Sequence, residues 1–194
     1  LHTIEIDDEL HAYLMSLAVF IPISGWVADR SGARSTFMAA IAVFLLGSLA
    51  CAASQTLAQL VAARFLQGIG GALMVPVGRL VLLRTVPKSE LVRALSWLTI
   101  PALMGPLMGP PVGGFITDNF GWRWIFWMNL PFGIAAITFA TVLMPETGVD
   151  QVPPLDLRGF LLSGIGLSSL IFGLTIMGRD LLPRYSPVAL VPFG

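Results

Sequence analysis

The chain has 194 residues, of which 56% are hydrophobic and only 11% charged, with a mean hydropathy of +0.84. Soluble domains carry roughly 25% charged residues, so this is the composition of a membrane protein. A net charge of zero gives no footing for nucleic-acid binding, and the single Cys51 excludes an internal disulfide.

Residues 1–9 hold Glu5, Asp7, Asp8 and Glu9 and form a polar, extracytoplasmic lead. They lack the positive region of a signal peptide, and the first residue is Leu1 rather than Met, which implies a fragment. Six apolar runs follow, at 10–28, 35–54, 57–83, 94–117, 124–144 and 159–178. Each is near or above the ~20 residues that cross a ~30 Å hydrocarbon core. The expected fold is therefore all-α, a polytopic membrane helix bundle. Residues 10–144 form a five-helix block, 145–158 a proline-rich cytoplasmic linker, and 159–178 one further transmembrane helix. Residues 179–194 read as a loop and the start of another helix.

The loops alternate in charge. Arg30, Arg34, Arg84, Lys88, Arg93 and Arg158 fall on one side; Arg123, Arg179 and Arg184 fall on the other. The first side is placed in the cytoplasm. Phe120, Trp122, Trp124, Phe126 and Trp127 gather at one outer edge, where aromatic rings anchor a helix at the membrane interface.

Three stretches stand out. In the first, Gly25, Asp29, Arg30, Gly32 and Arg34 form a charged hinge between two apolar runs. Asp29 sits at a helix carboxyl end, where the dipole disfavours an anion, so it needs a partner. Arg30, Arg34 and the free N–H groups of a following helix are the candidates. Gly32 permits a left-handed turn, and Gly25 permits another helix to approach. An ordinary basic loop is the alternative.

In the second, Arg64, Gln67, Gly68 and Gly71 recur at i, i+3, i+4 and i+7 and share one helix face. Arg64 lies about 10 Å below the outer end of its helix. An arginine at depth costs on the order of 2.5–3.5 kcal/mol on insertion scales. None of the six runs contains an Asp or Glu, so a carboxylate partner is expected from another segment. Snorkelling to the outer headgroups is the other reading, and Arg79 reads as snorkelling to the cytoplasmic side. Gly68, Gly70 and Gly71 do not make a dinucleotide loop, because they follow no strand.

In the third, Gly105, Gly109 and Gly113 recur every four residues, with Gly114 beside them, and form a groove for a neighbouring helix. Pro101, Pro106, Pro110 and Pro111 interrupt the hydrogen-bond ladder and should bend this helix.

These stretches resemble, in family order, the second-, fourth- and fifth-helix motifs of major facilitator superfamily transporters. The run from Gly105 to Gly114 is similar to the antiporter motif, with Pro111 as a departure. The run from Trp122 to Pro131 resembles the sixth helix of the fourteen-helix drug:proton antiporters of EmrB/QacA type, and 159–178 then fits the first extra helix of that branch. The resemblance covers nearly all of residues 10–178. It implies the N-terminal half of a transporter, lacking its first helix and its C-terminal half. It also implies proton-coupled efflux of small amphipathic compounds across a bacterial inner membrane by alternating access. Gly25, Asp29, Arg30, Gly32 and Arg34 would belong to the cytoplasmic gate. Arg64, Gln67 and Gly68 would serve proton coupling, and Gly105, Gly109, Pro110, Gly113 and Gly114 the interface between halves.

The expected partners are the bilayer, protons, a small-molecule substrate and the missing segments; no cofactor, metal or nucleic acid is expected. A symporter or uniporter of a metabolite and an inactive truncation product are the rival readings. A membrane enzyme is disfavoured: the chain has only His2, His11 and one cysteine, with no acid in any run.

Overall fold

The structure, a computed structural model, describes residues 12–144 and 154–177, and these are helical almost throughout. The 1–9 lead, residues 145–153 of the linker and the 179–194 segment lie outside the described residues.

The first apolar run is not one straight helix. It forms α1 (Ala12–Phe20) and α2 (Ser24–Ser31), bent by 57° at the break. Pro22 supplies the cause, since it has no N–H for the ladder and its ring clashes with the preceding turn. Ser24 seals the break, donating from both its N–H and its Oγ to the Ile21 carbonyl at 3.1 and 2.7 Å. Gly32 then turns the chain at φ 83°, ψ 136°.

Next come α3 (Ala33–Ala53), α4 (Leu57–Thr85), α5 (Leu91–Phe120), α6 (Trp124–Trp127), α7 (Asn129–Leu143) and α8 (Leu157–Met177). Four stretches are long and apolar enough to cross a membrane: α3, α4, α5 and the α6–α7 run; the bent pair makes a fifth. α8 spans 21 residues. These correspond to the six runs read from the sequence. α4 starts at Thr56, whose side chain accepts from the Gln59 N–H at 3.3 Å, an N-cap of the usual kind. α5 extends past both expected ends and takes Arg93 and Asp118 into its terminal turns. At 30 residues it is about 45 Å long, so its ends reach the headgroup layer. Its prolines do not divide it into separate elements.

The tightest packing joins α3 to α4. A Cβ at Gly47 would stand 2.6 Å from Gln67 Cα, and one at Gly70 would stand 2.6 Å from the Ala40 carbonyl oxygen. Both are main-chain approaches that only glycine allows. Two apolar clusters close the ends of this pair. Ala28, Ala33 and Val77 pack with Phe37, Leu80 and Val81 at the end near Gly32. Cys51, Ala52, Ala63 and Phe126 pack with Leu60 at the other.

α7 lies antiparallel to α3, and an arginine makes a contact at each end of α3. Arg34, in the first turn of α3, donates to the Thr141 carbonyl in the last turn of α7 at 2.6 Å. Arg123, just ahead of α6, donates to the Ala52 and Ser54 carbonyls at the end of α3, at 3.1 and 2.7 Å. Each guanidinium thus meets the negative end of the neighbouring helix dipole.

Candidate functional site

The hinge residues and the α4 face occupy opposite ends of the same bundle. At the end near Gly32, Asp29 lies in the last turn of α2, and its carboxylate accepts from Arg84 at 2.6 Å. Arg84 stands at the end of α4, 55 residues further along, and was counted from the sequence only as a topology charge. Both side chains are about a third exposed, at 32% and 35%. The two nearer candidates are engaged elsewhere. Arg30 lies over the Trp26 ring at 5.3 Å, and Arg34 reaches α7. Gly25 has open space around it, since a Cβ there would meet nothing within 4 Å among the described residues. It borders a shallow groove with Pro76, Leu80 and Leu83 of α4.

Towards the opposite end, Arg64 is half-buried and its guanidinium lies over the Phe126 ring at 4.7 Å. It also donates to Gln67 Oε1 at 3.1 Å. A hydrogen bond to a charged group is worth ~1.5–3 kcal/mol, and a cation–π contact ~0.5–2 kcal/mol. Together these are of the same magnitude as the insertion cost, so Gln67 and Phe126 contribute to holding the guanidinium. Phe126, read as an interface anchor, is 2% exposed and belongs to the core. Its role under Arg64 could not be read from spacing, because the two lie on different helices.

Gln67 is itself buried, with 2% exposure, and passes the polar chain on. Its Nε2 donates to Ser48 Oγ on α3 at 2.6 Å, and Asn129 Nδ2 of α7 donates to the same oxygen at 3.3 Å. Gly47, beside Ser48, brings α4 close enough for so short a side chain to reach. The break around Met128 sets Asn129 at the start of α7; there Pro131 cannot donate to the Trp127 carbonyl. Ser48 and Asn129 were not singled out from the sequence.

Gly68 and Gly71 face α1, one and two turns along from Arg64, whereas Gln67 of the same stretch turns towards α3. A Cβ at Gly68 would clash with the Ser16 side chain and come within 2.9 Å of the Tyr13 carbonyl oxygen on α1. Gly71 faces the Tyr13 hydroxyl, 3.0 Å from where its Cβ would stand. The α4 glycines therefore let α1 lie directly alongside.

The third stretch is arranged differently. A Cβ at Gly105, Gly109, Gly113 or Gly114 would meet nothing within 4 Å. α5 touches α4 and α6, but its glycine face, with Pro110 beside Gly109, has no neighbour among the described residues. No cluster of His, Cys, Asp and Glu able to hold a metal occurs among the described residues.

The sequence profile of the Major Facilitator Superfamily matches residues 10–193. The chain is 45% identical over 163 residues to a protein of Serratia proteamaculans named "Putative multidrug resistance protein MdtD", covering 84% of this chain and 34% of that one. It is 48% identical, over the same shares, to the protein of that name from Cronobacter sakazakii. It is 45% identical to that of Pectobacterium carotovorum over 183 residues, 94% of this chain and 39% of the relative. The chain thus spans about a third of the length of the curated relatives it matches. With a match that takes in every described helix, the chain belongs to the major facilitator superfamily.

Proposed function

We propose that this chain supplies N-terminal helices of a transporter that exports small amphipathic compounds across a bacterial inner membrane in exchange for protons. The observation that carries the reading is Arg64, a half-buried cation about 10 Å along α4 from its start, in contact with Gln67 and Phe126. A guanidinium so fixed lowers the pKa of a carboxyl brought near it, and so biases proton release towards one state of the cycle. That carboxyl would come from a helix beyond the described residues. The hinge at Asp29 and Arg84 would govern the cytoplasmic gate, and the glycine face of α5 the contact between half-bundles. α8 would be the first of the extra helices of the fourteen-helix branch. Relatives named for multidrug resistance support the substrate class.

In the full-length protein, Arg64→Ala is expected to abolish proton-driven efflux while leaving expression and membrane insertion intact. Substrate accumulation in everted vesicles, with and without a proton gradient, measures this; unchanged gradient-driven accumulation overturns the coupling role. Proton release on adding substrate to the purified protein is the companion measurement. Its absence would favour a symporter or uniporter of a metabolite.

A further inference from the structure

The polar chain through α4, α3 and α7 has a direction, and the direction is imposed by Arg64. A guanidinium has five donors and no acceptor. Whatever Gln67 turns towards Arg64 must therefore be its carbonyl oxygen, and the observed contact is Arg64 to Gln67 Oε1 at 3.1 Å. With its oxygen committed, the Gln67 amide nitrogen faces the other way and needs an acceptor. Gln67 is 2% exposed, so water is not at hand, and a stranded buried donor costs about 1–3 kcal/mol. Ser48 Oγ, fully buried, is that acceptor at 2.6 Å. Asn129 Nδ2 donates to the same oxygen at 3.3 Å from the far side. Two donors converge on the Ser48 oxygen, which holds the hydroxyl as an acceptor and keeps the Gln67 carbonyl aimed at Arg64.

We propose that Ser48 and Asn129 are positioning residues for proton coupling: they fix the Gln67 amide in the one orientation that holds the Arg64 guanidinium. The inference rests on the coupling reading of Arg64 given above. Neither residue touches Arg64; each acts through Gln67. The alternative role, packing alone, has a different signature. Ser48 meets Gln67 where α3 and α4 approach at Gly47, and replacing a hydroxyl by hydrogen there removes little volume. A packing role would change every mode of transport together, whereas a positioning role separates gradient-driven transport from passive exchange.

The test uses the full-length protein in liposomes, with ethidium at the head of a panel of amphipathic dyes as the transported probe. Two rates are compared: uphill accumulation driven by an imposed proton gradient, and dye-for-dye counterflow without a gradient. Ser48→Ala and Asn129→Ala are expected to lower the uphill rate by about fivefold, the equivalent of one lost buried hydrogen bond. Counterflow should stay near the parent value. Ser48→Thr, which keeps the hydroxyl, should restore the uphill rate. If Ser48→Ala and Asn129→Ala leave the uphill rate unchanged while Arg64→Ala removes it, this inference fails and the coupling reading stands. If both rates fall together in Ser48→Ala, the role is packing and the inference again fails. If Arg64→Ala itself leaves uphill transport intact, the coupling reading fails and takes this inference with it.

Discussion

Asp29 ends a helix whose dipole opposes its charge, and it accepts a hydrogen bond from a guanidinium that arrives from the end of another helix. An ion pair a third exposed contributes ~0–1 kcal/mol to stability, so its value to the molecule lies in what it fastens, α2 to α4. Arg84→Gln in the full-length transporter is expected to lower transport as much as Asp29→Asn. The double variant should be no worse than either single one. Transport rates across this double-mutant cycle decide it; independent, additive losses would show that the two residues act separately. The need of Asp29 for a partner was legible from its position at the end of an apolar run. The partner was not, because local spacing offers only Arg30 and Arg34, whereas Arg84 is brought in by the way α4 returns along α2. Arg64 repeats the lesson. Its depth is readable from the run it sits in, whereas the ring of Phe126 beneath it is supplied by another helix and leaves no local signal.

Elements meet here through glycine on one helix and main chain on the next. Gly70 and Gly78 lie on the same helix, and their surroundings differ. At Gly70 a Cβ would press on the Phe44 nitrogen and the Ala40 carbonyl oxygen, both backbone and unable to yield without moving α3. At Gly78 the nearest atom is Phe37 Cε2 at 3.5 Å, an ordinary contact. Gly70→Ala is therefore expected to destabilise by ~1–3 kcal/mol, and Gly78→Ala to stabilise by up to ~1 kcal/mol through its helix preference. Thermal unfolding of the purified full-length protein in detergent reads both signs; equal shifts would contradict the packing described. Helix positions were legible from runs of apolar residues, since length and charge exclusion define a span. The break in the first run was not used, although Pro22 marked it. The close crossing of α3 and α4 was also hidden, because Gly47 and Gly70 lie on different spans and share no motif.

Across the whole molecule the helices differ in how much they bury. α3 and α4 carry most of the buried residues, while the apolar stretch of α5 buries none. Its exposed surface includes Leu103, Leu107, Val112 and Phe115, alongside the open glycine face. The sequence displayed that face as a groove but carried no sign of what fills it, since a groove is one side of a contact. Sidedness, by contrast, came from loop charges alone and is open to a direct check. In a Cys51→Ser background of the full-length protein, Gln55→Cys should react with a membrane-impermeant maleimide in spheroplasts. Ser89→Cys, in the α4–α5 loop, should react only after the membrane is opened. Both positions are exposed, so the reverse pattern would invert the topology.

The two arginines at the ends of α7 and α3 donate to peptide oxygens, those of Thr141, Ala52 and Ser54. The acceptor at each of these positions is main chain, which every amino acid carries, so at Ala52 and Ser54, both buried, it is packing rather than the hydrogen bond that restricts the side chain. These contacts leave no signature in the side chains of the acceptors, although they hold α3 at both ends, to α7 at one and to the turn before α6 at the other.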